Sequence, residues 1–387
     1  MSAGKRWTNL LTMISRPPPK VGATPSEVVH CENKWKLVRY RARPQGSSHQ
    51  TPVVLVPSLI NRGYVLDLLP GRSFTEYLVA QGHDVFALDW GTPGDEDRYL
   101  TFDEIVDGYL GRALRVAARV AGSSRGAHVL GYCMGGTMAA LHAAVHPARF
   151  ASLVAVAAPI GFHDDGLLST WSRTKTMDLR ALVDACGNVP WQLMQSAFHL
   201  LRPTLNLSKA VHLFDRAGDD EFLDGFLALE TWGSDNVSFP GAAYVRYIEE
   251  LYRGDRFAAG TFTLAGKPAR LEAIRAPTLS VTFEHDAIVP KTSAQVLLDR
   301  IGSVDKESLH VNGGHVGAMV SRSAAKSLWP KISSWWAARD GLTEAKETKK
   351  ETETKTETSR KRGKPGEETS KSPPPIHHTH RGRQQGE

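Results

Sequence analysis

A cysteine stands among glycines in the run Gly131-Tyr132-Cys133-Met134-Gly135-Gly136. The form is G-x-nucleophile-x-G, a sharp strand-to-helix turn that presents its middle side chain. An apolar, strand-like stretch, His128-Val129-Leu130, comes before it, and a small-residue helix over 137–144 follows. Bulky neighbours would collide in such a turn, so glycines bracket the nucleophile. The thiolate is the reactive form of cysteine, and the chemistry indicated is acyl transfer through a thioester.

Such a nucleophile needs a base, and the base needs an acid to orient it. Two later loops offer both, in the chain order nucleophile, acid, histidine. Phe283-Glu284-His285-Asp286-Ala287-Ile288-Val289-Pro290 follows a strand, which sets Asp286 at the strand's C-terminal end, where an open parallel sheet forms its cleft. Asn312-Gly313-Gly314-His315-Val316-Gly317 follows the next strand and hangs His315 over the same edge. Each residue also has a plainer reading. A buried cysteine is usually a small hydrophobe, Asp286 can cap the helix near Lys291, Glu284 or His285 can stand in for it, and His315 can be an ordinary loop histidine. Their joint occurrence at strand ends favours a Cys133–His315–Asp286 triad. The oxyanion hole then takes the backbone N–H of Met134 and a second donor from the Ser58-Leu59-Ile60-Asn61 loop. His142 and His146 lie four apart on the helix after the cysteine, a spacing that zinc sites use. No third ligand is evident in the sequence, so a packed helix face is expected. His83 and His163 have no evident role.

The elements that must carry these loops are legible as an alternation. Pro52–Pro57 is a continuous apolar run, as a strand buried on both faces requires. A helix over 73–80, a strand over 84–90, a long helix over about 101–120, the strand before Cys133 and a strand over 150–157 follow. Strands return at 277–283 and, more weakly, at 307–311, and a closing helix runs over 321–338. The alternation implies a parallel sheet with helices on both faces. Between them, residues 161–266 are aromatic-rich and helical, with Trp171, Trp191, Phe198, Phe214, Phe222 and Phe226, and read as a cap. The expected organisation is an N-terminal segment and approach to the core over 1–50, core over 51–160 and 267–340, the cap over 161–266, and a disordered charged tail over 341–387. Trp7, Leu10, Leu11 and Ile14 fall at helical spacing. They suit a short amphipathic helix for a partner or apolar surface, or else a frayed terminus.

Composition sets the outer limits. The 387 residues are 41% hydrophobic, enough for a large core. No apolar run approaches the roughly 20 residues of a membrane span, and the basic start, Met1–Arg6, does not read as a signal peptide. Three cysteines, Cys31, Cys133 and Cys186, suit a reducing cytoplasm. Eleven Lys/Arg and eight Glu in 341–387 leave that tail +3 of the chain's +6, which argues against a basic nucleic-acid groove in the folded part. His377, His378 and His380 in the tail read as solvated polar residues rather than a metal site.

With these residues in view, the chain resembles the polyhydroxyalkanoate synthases over roughly 24–338. The approach Thr24–Val29, the loop Pro57–Leu68, Gln81–Phe86 with Asp89-Trp90-Gly91, the segments Trp232–Asp235 and Phe239-Pro240-Gly241, Asp286 before Val289-Pro290, and Gly313-Gly314-His315 carry the resemblance. Met134 departs from it, since glutamine is common there, although the backbone N–H is the same. The resemblance implies an α/β-hydrolase fold with a mostly parallel central sheet and an inserted helical cap. It implies Cys133 as acyl carrier, His315 as base and Asp286 as its acid partner, with no cofactor beyond the coenzyme A thioester substrate. It also implies 3-hydroxyacyl-CoA and a growing polyester chain as partners, a homodimer, and a cytoplasmic place at the storage-granule surface. The length is like that of members needing a second subunit, whereas the segment at Trp232 is more like self-sufficient members. A thioesterase or polyester depolymerase on the same fold is the alternative, and a non-catalytic granule-binding protein a third reading.

Overall fold

The computed structural model describes residues 3–40, 47–201, 203 and 205–340, with Ser372, Pro374, Pro375 and His377 from the tail. The chain divides into two units, residues 1–340 and 341–387. The expectation of disorder in the tail lies outside the described residues. The strands of the first unit are β1 (Ser26–Glu32), β2 (Trp35–Tyr40), β3 (Val53–Val56), β4 (Val85–Asp89), β5 (Ala127–Tyr132), β6 (Phe150–Val156), β7 (Thr263–Leu264), β8 (Lys267–Pro268), β9 (Thr278–Phe283) and β10 (Lys306–Val311). Eight of them form one sheet in the order β1-β2-β4-β3-β5-β6-β9-β10. From β4 to β10 neighbours run parallel, while β2 joins β4, and β1 joins β2, antiparallel.

The helices are α1 (Ala3–Thr12), α2 (Phe74–Ala80), α3 (Leu110–Ala121), α4 (Met134–Val145), α5 (Leu167–Arg173), α6 (Leu179–Cys186), α7 (Trp191–Leu201), α8 (Leu205–Arg216), α9 (Asp220–Ser234), α10 (Gly241–Arg246), α11 (Lys291–Arg300), α12 (Gly317–Val320) and α13 (Arg322–Ala337). Side chains alternate across the pleat, so each central strand feeds two cores. Val54, Val56 and Val129 join the one that holds Phe86, Leu114 and Met138. Val53, Leu55 and Leu130 join the other, with Phe74, Trp329 and Trp336. Burial on both faces is why β3 and β5 read as unbroken apolar runs. Ser73 and Ser321 cap α2 and α13 by accepting from Glu76 and Ala324 N–H. Among the described residues no helix is long and apolar enough to cross a membrane.

Three elements differ from the sequence reading. Residues 26–40 form an antiparallel hairpin at the sheet's edge, where the sequence suggested only an approach to the core. The helix expected over 101–120 is π-helical across Glu104–Tyr109 before it becomes α3. The N-terminal helix is not frayed, because it docks on α8 and α9. Trp7 meets Phe214 edge-on at 5.6 Å, Asn9 Nδ2 donates to Ala217 O at 2.8 Å, and Arg16 pairs with Asp224 at 2.8 Å.

Candidate active site

β5 ends where the chain must reverse into α4. Cys133 sits at the helix N-cap with φ +55° and ψ −126°, strained for a residue with a Cβ. Its own N–H donates to Val156 O at 2.9 Å, which ties the turn to β6. The glycines are needed for space. A Cβ on Gly131 would lie 2.4 Å from Gly136 Cα, and one on Gly135 would lie 2.0 Å from Val56 O. Met134 begins α4, so its N–H is among the helix's first, which have no carbonyl within the helix to bond. The partial positive charge at the start of α4 lies beside this turn.

Asp286 and His315 meet as the loop lengths require. Asp286 Oδ2 accepts from His315 Nδ1 at 2.7 Å, while Oδ1 accepts from Ile288 and Val289 N–H, both at 2.9 Å. One oxygen therefore folds the loop and the other holds the imidazole. Asp286 does not cap α11, whose N-cap is Pro290. Glu284 pairs instead with His310, away from the cysteine. The His315 imidazole is also hydrogen-bonded to Cys133. Burial alone would lower its pKa. The charge at Cys133, the hydrogen bonds to Asp286 and Cys133, and the charge of Asp286 outweigh burial and raise it to about 10. A protonated imidazole held between Asp286 and Cys133 is the state this arrangement favours. The structure thus brings Cys133, His315 and Asp286 into one hydrogen-bonded chain, with Met134 next to the sulfur-bearing residue in sequence and lining the same cavity.

That cavity has a volume of about 450 Å³. Pro57, Ser58, Ile60 and Asn61 of the loop after β3 form part of its wall, as a source for a second oxyanion donor would. Aromatic residues from the segment between β6 and β9, among them Trp171, Phe198, Phe239, Tyr247 and Tyr252, form another part. The loop and this segment are joined. Trp232 Nε1 donates to Arg62 O at 2.8 Å, Arg62 Nε donates to Asp235 Oδ1 at 3.0 Å, and Asn61 is hydrogen-bonded to Asn236. Val237 N–H also donates to Ile60 O at 3.2 Å.

Sequence reasoning missed Tyr132. Its ring stacks on His315 with centroids 5.5 Å apart, and its hydroxyl donates to His315 O at 2.9 Å. The only signal was its place beside Cys133. A correction concerns His142 and His146, for which no third ligand was expected. Asp107, from the π-helical stretch, lies with them in one group of ligand atoms. His146 Nε2 meets Asp107 Oδ1 at 2.6 Å, and Arg149 Nη1 donates to His142 Nε2 at 2.8 Å. The guanidinium already uses that imidazole lone pair and puts a fixed cation beside the group. His163 Nε2 lies 3.3 Å from Arg253 O, and His83 Nε2 lies 2.8 Å from Ser333 Oγ, both outside the site.

Residues 51–321 match the family model of the α/β hydrolase fold, and residues 19–78 match that of the poly-beta-hydroxybutyrate polymerase (PhaC) N-terminus. A soluble variant of monoglyceride lipase from Saccharomyces cerevisiae superposes with a TM-score of 0.50 at 15% identity, over 84% of this chain and 99% of that one, a likeness of fold. The poly(3-hydroxyalkanoate) polymerase subunit PhaC of Haloferax mediterranei is 34% identical over 321 residues, 82% of this chain. This chain spans 65% of the length of that relative. The PhaC subunit of Allochromatium vinosum is 33% identical over 318 residues, 81% of this chain and 88% of that protein. Sheet order, turn and cavity define an α/β-hydrolase-fold protein. Within that class, the chain belongs to the poly(3-hydroxyalkanoate) polymerase family.

Proposed function

We propose that this chain polymerises 3-hydroxyacyl-CoA into polyester, with release of CoA, through an acyl group carried on Cys133. The observation that carries this reading is the chain of hydrogen bonds from Cys133 through His315 to Asp286 at the wall of an apolar cavity. His315 takes the cysteine proton and the thiolate attacks the substrate's thioester carbonyl. The Met134 N–H donates to the oxyanion. When the intermediate collapses, the C–S bond to CoA breaks, and the CoA sulfur takes the proton back from His315. One thioester has been exchanged for another, a step near balance in energy, which suits cysteine.

In the second half, the 3-hydroxyl of a CoA-bound unit gives its proton to His315 while its oxygen attacks the acyl-cysteine. An ester forms and the Cys133 thiolate leaves. The lengthened chain returns to Cys133 by the first exchange. Asp286 orients His315 in both halves. The aromatic cap excludes water, which would otherwise hydrolyse the acyl-enzyme. Polymerisation by this route needs no cofactor beyond the CoA thioester. A homodimer, a second synthase subunit and work at the surface of a cytoplasmic granule belong to the same reading.

Incubation with 3-hydroxybutyryl-CoA tests it: CoA release accompanied by insoluble polyester is expected. Free 3-hydroxybutyrate as the sole acyl product would make the chain a thioesterase instead, and no CoA release would leave the non-catalytic reading.

A further inference from the structure

Tyr247 and Tyr252 both line the cavity that holds Cys133. They lie five residues apart in the π-helical segment Tyr247–Arg253. In an α-helix, side chains five apart point about 140° away from each other. The i→i+5 bonding of a π turn brings them round toward one face, a device that recurs at functional sites. Their ring centroids are 5.7 Å apart, and Tyr252 also packs edge-on against Phe162 at 4.7 Å. Tyr252 is only 8% exposed.

The two hydroxyls differ. That of Tyr247 is hydrogen-bonded to Thr137, whose own hydroxyl donates to Pro159 O at 2.6 Å. That of Tyr252 has no hydrogen-bond partner among the described residues. Burial, then the charge at Cys133, pushes the Tyr252 pKa well up, so the phenol keeps its proton. A protonated phenol beside an apolar cavity wants an acceptor, and an occupant of the cavity is the one left to supply it. An acyl group on Cys133 brings two kinds of oxygen. Its carbonyl is served by the oxyanion hole. The oxygen on C3 is otherwise unserved.

We propose that Tyr252 Oη donates a hydrogen bond to the oxygen on C3 of the acyl group carried by Cys133, and so selects 3-hydroxyacyl over plain acyl thioesters. A site built to bond a substrate hydroxyl discriminates against the analogue that lacks it, because its own polar group is then left unpaired. This inference rests on the synthase reading.

The test is single-turnover CoA release by the full chain from 3-hydroxybutyryl-CoA and from butyryl-CoA. The unaltered protein prefers the hydroxyacyl thioester by about tenfold or more. Tyr252→Phe slows release from 3-hydroxybutyryl-CoA about tenfold and leaves butyryl-CoA within about twofold, so the preference collapses. Tyr247→Phe leaves the ratio standing. Thermal melting accompanies each variant, and should Tyr252→Phe melt early, the same ratio is read from Tyr252→Met. An unchanged ratio, or equal loss on both thioesters, overturns the assignment. No release from either thioester by the unaltered protein defeats the synthase reading instead.

Discussion

Cys133 is held in a backbone conformation that costs about 1–3 kcal/mol, and it persists because β5, α4 and β6 fix both sides of it. Such strain makes sense if the side chain carries the reaction. Cys133→Ala, correctly folded by circular dichroism, should release no CoA from 3-hydroxybutyryl-CoA; retained release would remove the cysteine from the mechanism. Cys133→Ser should spare much of any thioester hydrolysis and lose polymer, a split readable by chromatography of the free acid against turbidity. Asp286 holds the imidazole by one bond of 2.7 Å. Asp286→Asn should therefore lower the acylation rate on the order of 10²–10⁴-fold with little change in melting temperature, and a near-normal rate would exclude its orienting part. These residues could be read from sequence because a cysteine among glycines and a histidine after paired glycines are chemically loaded where they fall. Tyr132 and Asp107 could not. A tyrosine beside the nucleophile has no fixed meaning until its ring lies on His315, and Asp107 meets His146 from a π-helical stretch that the sequence pattern does not announce.

At the scale of elements, the loop after β3 and the stretch 232–237 behave as one clasp. Arg62 and Asp235 form an ion pair whose other hydrogen bonds reach Gly91, Thr92 and Tyr64. The pair is partly exposed, so its strength is modest. A double-mutant cycle with Arg62→Ala and Asp235→Ala in urea unfolding should give a coupling of about 0.5–1 kcal/mol, and simple additivity would show that the clasp does not depend on it. The tightest approach of a glycine to another backbone is Gly135 against Val56 O. Gly135→Ala should cost about 3 kcal/mol, at the top of the usual overpacking range, and appear as loss of soluble protein. Strands β3, β5, β6 and β9 were legible as apolar runs because both faces are covered. The β1–β2 hairpin was not, since β1 lies at an edge with mostly exposed or half-buried side chains and so leaves no hydrophobic signature. The partner of α1 was equally hidden. Helical spacing announces an apolar face, but only the fold says that Phe214 covers part of it.

Across the whole molecule, buried histidines make the fold sensitive to acid. His83 and His128 are almost fully buried near Trp336. Burial, then the charges of His49 and His128, lowers His83 to about 3; burial also leads for His128, which falls to about 4 although Asp340 opposes the shift. His142, on α4, is lowered to about 3 by burial and by Arg149. Each takes up a proton more readily unfolded, near 6.5, than folded. The stability they add is complete above that value and drains away as pH falls toward 4 and 3, because the unfolded chain then binds more protons. Asp164 and Asp255, raised by burial, oppose this in part, since a raised carboxyl regains stability as pH falls. Asp340 and Asp107 have lowered values, so their contribution is lost with acid too, but mainly below about pH 4. His315 is raised, so its effect runs the other way, and its window opens only above about 6.5. Urea unfolding should therefore show about 2–4 kcal/mol less stability at pH 5 than at pH 7. His128→Gln should reduce that difference by about a third, since Gln can still meet Ser152 but does not titrate. A stability that is flat from pH 7 to 5 would mean that these imidazoles reach water in the native state.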